Sequence, residues 1–121
     1  MTKTGSSKEY DLENRTFIFA KDVRSFVRQL SKTIATIEDG KQVIRSSGSV
    51  GANYIEANES LSRKDFLHRI KISRKEAKET IYWLKLIVIE NNEMLDKERE
   101  RLANEATELM MIFSAIMRKS S

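Results

Sequence analysis

The sequence contains no cysteine and no proline. The first absence excludes disulfides and thiolate metal sites, and it removes the cysteine nucleophile. The second removes the residue that most effectively stops a helix. Glycine is scarce too, at four in 121 residues, so few positions loosen the backbone. A single histidine, His68, leaves no histidine cluster for a metal or a base–nucleophile array. Long apolar runs are also missing. The longest, IYWLKLIVIE, is interrupted by Lys85 and is far short of a membrane span. The opening, MTKTGSSKEYDLENR, has no apolar segment of the signal-peptide kind. These gaps predict a soluble cytoplasmic protein without membrane contact, cofactor, metal or catalytic machinery.

What is present is charge and helical periodicity. One third of the residues are charged and 40% are hydrophobic, the balance of a soluble folded domain. The net charge of +4 is unevenly spread. Residues 61–86 hold eight lysines and arginines against three acidic residues, so this one segment carries more than the whole excess and the rest of the chain is slightly acidic.

Residues 1–10 are polar and predict a flexible tail, with the folded domain over 11–119. Phe19, Val23, Phe26 and Leu30 recur at steps of 3 and 4, the signature of an amphipathic helix over about 12–32. Thr36 with Asp39 resembles a capping box and starts a second helix over about 37–60. Ser62 with Asp65 starts a third, over about 63–91, whose seam is Phe66, Ile70, Ser73, Ala77, Ile81, Leu84 and Val88. Asn91 and Asn92 end it. The fourth, over about 95–118, follows Leu95, Leu102, Ala106, Leu109, Phe113 and Ile116, and Arg118 and Lys119 suit its terminal dipole. No period-2 pattern competes. Short connections between four helices predict an all-α, antiparallel up-and-down four-helix bundle.

The stretch RSSGSVGANYIEAN, residues 45–58, interrupts this texture with small residues. A phosphate loop needs a lysine after its second glycine, and Gly51 is followed by Ala52 and Asn53. Wound as a helix, the stretch becomes ordered instead. Arg45, Ser49, Asn53 and Glu56 form a polar stripe; Ile44, Gly48, Gly51 and Ile55 form a second face; Val43, Val50, Tyr54 and Ala57 form a third. Two glycines inside a helix cost about 1 kcal/mol each relative to alanine. Gly48 and Gly51 are therefore expected where another helix approaches closely, either inside the bundle or across a homo-oligomeric contact.

The same residues carry a family signature. The pattern R-S-x-x-S-x-x-x-N-x-x-E-A falls on Arg45, Ser46, Ser49, Asn53, Glu56 and Ala57, and S-x-x-D-F followed by K-E-A-x-E-T-x-Y-W-L falls on Ser62, Asp65, Phe66 and Lys75 to Leu84. With ENRTFIFAKDV upstream, the chain resembles the four-helix bundle proteins encoded in intervening sequences of bacterial 23S rRNA genes. The resemblance covers nearly all of the chain after residue 10. It implies a left-handed up-and-down bundle and a homo-oligomer, a pentameric ring. It does not imply a settled activity. A related branch accompanies the reverse transcriptases of diversity-generating retroelements and is associated with nucleic-acid and protein binding.

Two sets of residues follow as candidates. Lys64, Lys71, Lys75, Lys78 and Lys85 share one face of the third helix with Tyr82, and such a face neutralises phosphates of RNA or DNA with little sequence preference. Arg45, Gly48, Ser49, Gly51, Asn53 and Glu56, with Glu76, Glu79 and Trp83 of the next helix, are assigned to an interface between subunits. Their carboxylates and amide are expected to hydrogen-bond between helices or subunits, with Arg45 as counter-ion, rather than to hold a metal. His68 is expected to be a partly buried packing residue. The function expected is a non-enzymatic oligomer that binds nucleic acid, the alternative being a structural or adaptor ring that binds a protein partner.

Overall fold

The computed structural model describes residues 11–120. The tail expected over residues 1–10 lies outside them. Helix α1 spans Leu12–Arg28, α2 Ile34–Asn58, α3 Arg63–Leu86 and α4 Glu93–Ser120. The four are all-α and joined by short connections, as the periodicity predicts.

The helix ends show which local signals won. Asp11 caps α1, its carboxylate accepting from the Asn14 amide at 3.3 Å. The helix stops at Arg28, four residues earlier than expected, because the next cap lies close behind it. That cap is Thr33, not Thr36. The Thr33 hydroxyl accepts from the Thr36 amide at 3.1 Å, and the Thr36 hydroxyl accepts from the Thr33 amide at 2.9 Å. This is a capping box with threonine in the place usually held by glutamate. Asp39 takes no part in it. The Ser62 cap of α3 is as expected, accepting from the Asp65 amide at 3.1 Å.

The other end of α3 departs from the expected 63–91. The helix stops at Leu86, and Ile87 turns to an extended conformation, with φ −67° and ψ 128°. The β-branched run Ile87–Val88–Ile89 has weak helix propensity, and the Arg99 guanidinium donates to the carbonyl released at Ile87. Ile87 thereby fills the core position expected of Val88, which is 70% exposed. Asn91 does adopt the left-handed conformation, φ 56°, but within the connection. Asn92 caps α4 by accepting from the Leu95 amide at 3.0 Å.

The register follows from the contacts. Gly51 of α2 meets Thr16 of α1, and Gly40 meets Val27. Arg45 reaches Glu76 of α3 while Asn53 accepts from Arg69. Arg63 of α3 donates to the carbonyl of Ser120 in α4, and Arg15 of α1 pairs with Glu105 while Arg101 pairs with Asp22. Each adjacent pair therefore runs antiparallel. Each helix packs on its chain neighbours and α1 closes on α4, the lightest of the four seams. Phe19, Val23 and Phe26 of α1, Val43 and Val50 of α2, Ile70 and Leu84 of α3, and Leu102, Leu109 and Phe113 of α4 meet in the core. Each such side chain contributes about 1.5–3 kcal/mol by leaving water.

Candidate nucleic-acid interface

Helix α3 divides its circumference sharply. Ile70, Ser73, Ala77, Thr80 and Leu84 are buried, and Glu76 is nearly so. At 100° per residue the opposite face carries Lys64, Lys71, Lys75, Lys78, Tyr82 and Lys85, and all six are exposed. None of the five lysines makes an ion pair among the described residues, and no acidic residue lies on that face. At 1.5 Å per residue the stripe runs about 30 Å.

The basic surface continues where sequence reasoning stopped. Between α3 and α4 lies an open groove of about 560 Å³. Lys64, Lys71 and Arg74 border it from α3 and Arg118 from α4, while Leu67 and Met117 contribute apolar surface. His68 stands on the same border and is exposed rather than packed. Arg74 was hidden by its position beside the lysine arc, and Arg118 by its distance in the chain. Only the antiparallel α3·α4 pairing brings them together.

Four arginines elsewhere, Arg15, Arg45, Arg99 and Arg101, are already paired with carboxylates. In the α1·α4 groove Arg15 donates to Glu105 at 2.7 and 2.9 Å and to Glu108 at 2.8 Å. Arg101 joins Asp22 at 3.0 Å and Glu98 at 2.8 Å. Hydrogen bonding to Glu105 raises the Arg15 pKa against the opposing cost of burial, and Glu98 does the same for Arg101. The Glu98 carboxyl is held below the ordinary range by its hydrogen bond from Arg101.

The residues assigned to an interface fall into several different settings. Arg45 donates to Glu76 at 3.2 Å and, at the limit of hydrogen bonding, to Glu79 at 3.5 Å, so it is the counter-ion of the two carboxylates within one chain. Asn53 donates to the Ser49 carbonyl and hydroxyl, both at 2.9 Å, and accepts from Arg69 at 3.0 Å. Glu56 does not join this cluster; its side chain is exposed. Trp83 is half-buried, edge-on to Tyr82 with ring centroids 5.1 Å apart. Gly51 is buried against α1, where a Cβ would lie 2.8 Å from Thr16 Oγ1. Gly48 is half-buried, and a Cβ there would lie 3.3 Å from Arg24 Nη2. Gly51 is thus placed by a close approach inside the bundle.

Among the described residues, no three His, Asp or Glu side chains come together as a metal-holding group, and no helix is long and apolar enough to cross a membrane.

Comparison with known proteins agrees with this architecture. Residues 8–115 match the model of the 23S rRNA-intervening sequence protein family. The chain belongs to that family. Among solved structures it is similar to a protein of unknown function from the S23 ribosomal protein family of Bacteroides thetaiotaomicron, with a TM-score of 0.75 and 27% identity over 93% of this chain and 99% of that one. No curated protein matches it. The family thus accounts for the bundle and for the motifs on α2 and α3, and the chemistry rests on the residues themselves.

Proposed function

We propose that this member of the 23S rRNA-intervening sequence protein family is a non-enzymatic homo-oligomer of the bacterial cytoplasm that binds RNA or DNA through the exposed face of α3. One observation carries the reading. The five lysines of that face are exposed and unpaired among the described residues, whereas Arg15, Arg45, Arg99 and Arg101 all hold carboxylates. Cations left unneutralised along about 30 Å repel one another, and a polyanion relieves that repulsion while releasing its own counterions. The resemblance adds the oligomer, a pentamer, in which one stripe per subunit multiplies a weak contact.

Fluorescence anisotropy with single-stranded and duplex RNA and DNA at several salt concentrations tests this. Binding is expected to weaken linearly in log–log form with salt, and Lys71→Glu/Lys75→Glu/Lys78→Glu to lower affinity at least about tenfold. No binding at low salt would refute the reading. Light scattering of the same sample checks assembly, for which a monomer is the contrary result.

A second reading has its own observation. At the end of the bundle where the α1–α2 and α3–α4 connections meet, Ile34, Leu86, Val88 and Met94 are exposed by 44–86%. Apolar residues gathered at one end suit a protein partner, the adaptor role. Failure of direct nucleic-acid binding by the purified protein would favour it.

A further inference from the structure

The α3·α4 groove differs from the lysine stripe beside it in one respect: it has an apolar floor. Leu67 and Met117 are half-buried there, beneath a border of Lys64, Lys71, Arg74 and Arg118. Among the described residues, no acidic side chain lines the groove and none of these four cations makes an ion pair. The α1·α4 groove, about 550 Å³ and so nearly equal in size, has both of its arginines neutralised by carboxylates of the same chain. An anion meets unpaired cations in the first groove and competing carboxylates in the second.

A duplex makes little use of an apolar floor of this kind, because the faces of its bases are stacked inside and only their edges and the phosphates reach the protein. An unpaired base presents an apolar face flanked by phosphates, and that is the complement of this groove. His68, exposed on the border, and the planar guanidinium of Arg74 are groups on which bases stack. The groove is open along its length, and its end is fixed by Arg63, which donates to the Ser120 carbonyl at 2.9 Å and ties the start of α3 to the end of α4. We propose that the α3·α4 groove seats an unpaired base of single-stranded nucleic acid, with the four bordering cations on its phosphates. The ligand preferred by this face is then single-stranded, with the strand continuing over the lysines toward Tyr82. This deepens the nucleic-acid reading and rests on it.

The test uses the full chain and an oligonucleotide carrying 2-aminopurine, as a single strand and as a duplex. The single strand is expected to bind about tenfold more tightly, with a change in 2-aminopurine emission on binding. Met117→Asp is expected to abolish both the preference and the emission change. Lys85→Ala, at the far end of the stripe, is expected to weaken single strand and duplex alike. Should Met117→Asp not fold, as judged by circular dichroism, Arg118→Glu at an exposed position carries the same expectation. Equal affinity for the two forms, or a preference that survives the groove variants, overturns the groove proposal and leaves the lysine face standing. Absence of binding to both forms overturns the nucleic-acid reading itself.

Discussion

Gly48 and Gly51 look equivalent in the sequence, three residues apart in one helix, yet their surroundings assign them different consequences. Gly51 faces Thr16, whose hydroxyl donates to the Leu12 and Glu13 carbonyls at 2.9 Å and is buried. A methyl group there would stand 3.1 Å from the Thr16 Cβ, and neither partner can step aside. Overpacking of this kind costs about 1–3 kcal/mol, against about 1 kcal/mol gained from alanine's helix propensity. Gly51→Ala is therefore expected to destabilise the protein by up to about 2 kcal/mol. Gly48 faces only the end of the Arg24 side chain, which can swing away. Gly48→Ala is expected to be neutral or to stabilise by up to about 1 kcal/mol. Urea denaturation at one protomer concentration compares them, since assembly shifts apparent stability with concentration. Equal effects of the same sign would remove the close-approach explanation of Gly51. The sequence announces that small residues matter here, and only the neighbour across α1 says which of them is needed.

Between elements, the α2·α3 seam is held by polar groups set into apolar packing. The Thr80 hydroxyl donates to the Glu76 carbonyl at 2.8 Å, so in its contact with Ser46, also 2.8 Å, Ser46 is the donor. Ser73 donates to the Val50 carbonyl at 2.9 Å. All three hydroxyls are buried. Ser46→Ala leaves the Thr80 oxygen short of a partner, and Thr80→Val strands the Ser46 hydroxyl; each is expected to cost about 1–2 kcal/mol. The double variant strands neither, so its cost should fall below the sum. A double-mutant cycle by denaturation measures the coupling, and strict additivity would show that the hydroxyls do not act as a pair. This seam also marks the limit of what the sequence discloses. The Phe and Leu seams of α1 and α4 were legible because large apolar residues repeat at helical spacing. Ser73 was legible because it sits on such a seam. Ser46 and Thr80 were not, since a small hydroxyl reads the same whether it faces water or a partner. The helix ends failed for a related reason: Thr36 serves the Thr33 capping box in a role usually given to glutamate, and Ile87 leaves α3 for a core position that periodicity gave to Val88. The lysine face was legible as a wheel pattern, but Arg118 joins it only through the α3·α4 pairing.

Across the whole molecule the four seams are unequal, and acid should find the difference. The α1·α4 seam is lightly packed and lined by paired charges: Arg15 with Glu105 and Glu108, Arg101 with Asp22 and Glu98. Such partly exposed pairs are worth only about 0–1 kcal/mol each, and several together matter where apolar contact is thin. The sign of the pH dependence follows from Glu98. Its carboxyl is held below the ordinary range in the folded protein, chiefly by the hydrogen bond from Arg101. It therefore contributes stability above the unfolded value of about 4.3, and that contribution is lost as pH falls through the lower folded value. The α2·α3 seam depends chiefly on buried hydroxyls and apolar side chains, with the ion pairs of Arg45 to Glu76 and Glu79 beside them. Hydrogen exchange, corrected for intrinsic rates, is expected to show α1 amides losing protection as pH is lowered below about 4, before the amides of α3 around Ser73 and Ala77. Arg101→Gln should reproduce part of this loss at neutral pH by leaving Asp22 and Glu98 without their cation. Simultaneous loss across α1 and α3 at every pH would mean that the bundle opens as one cooperative unit and that the charged seam is not its weak side.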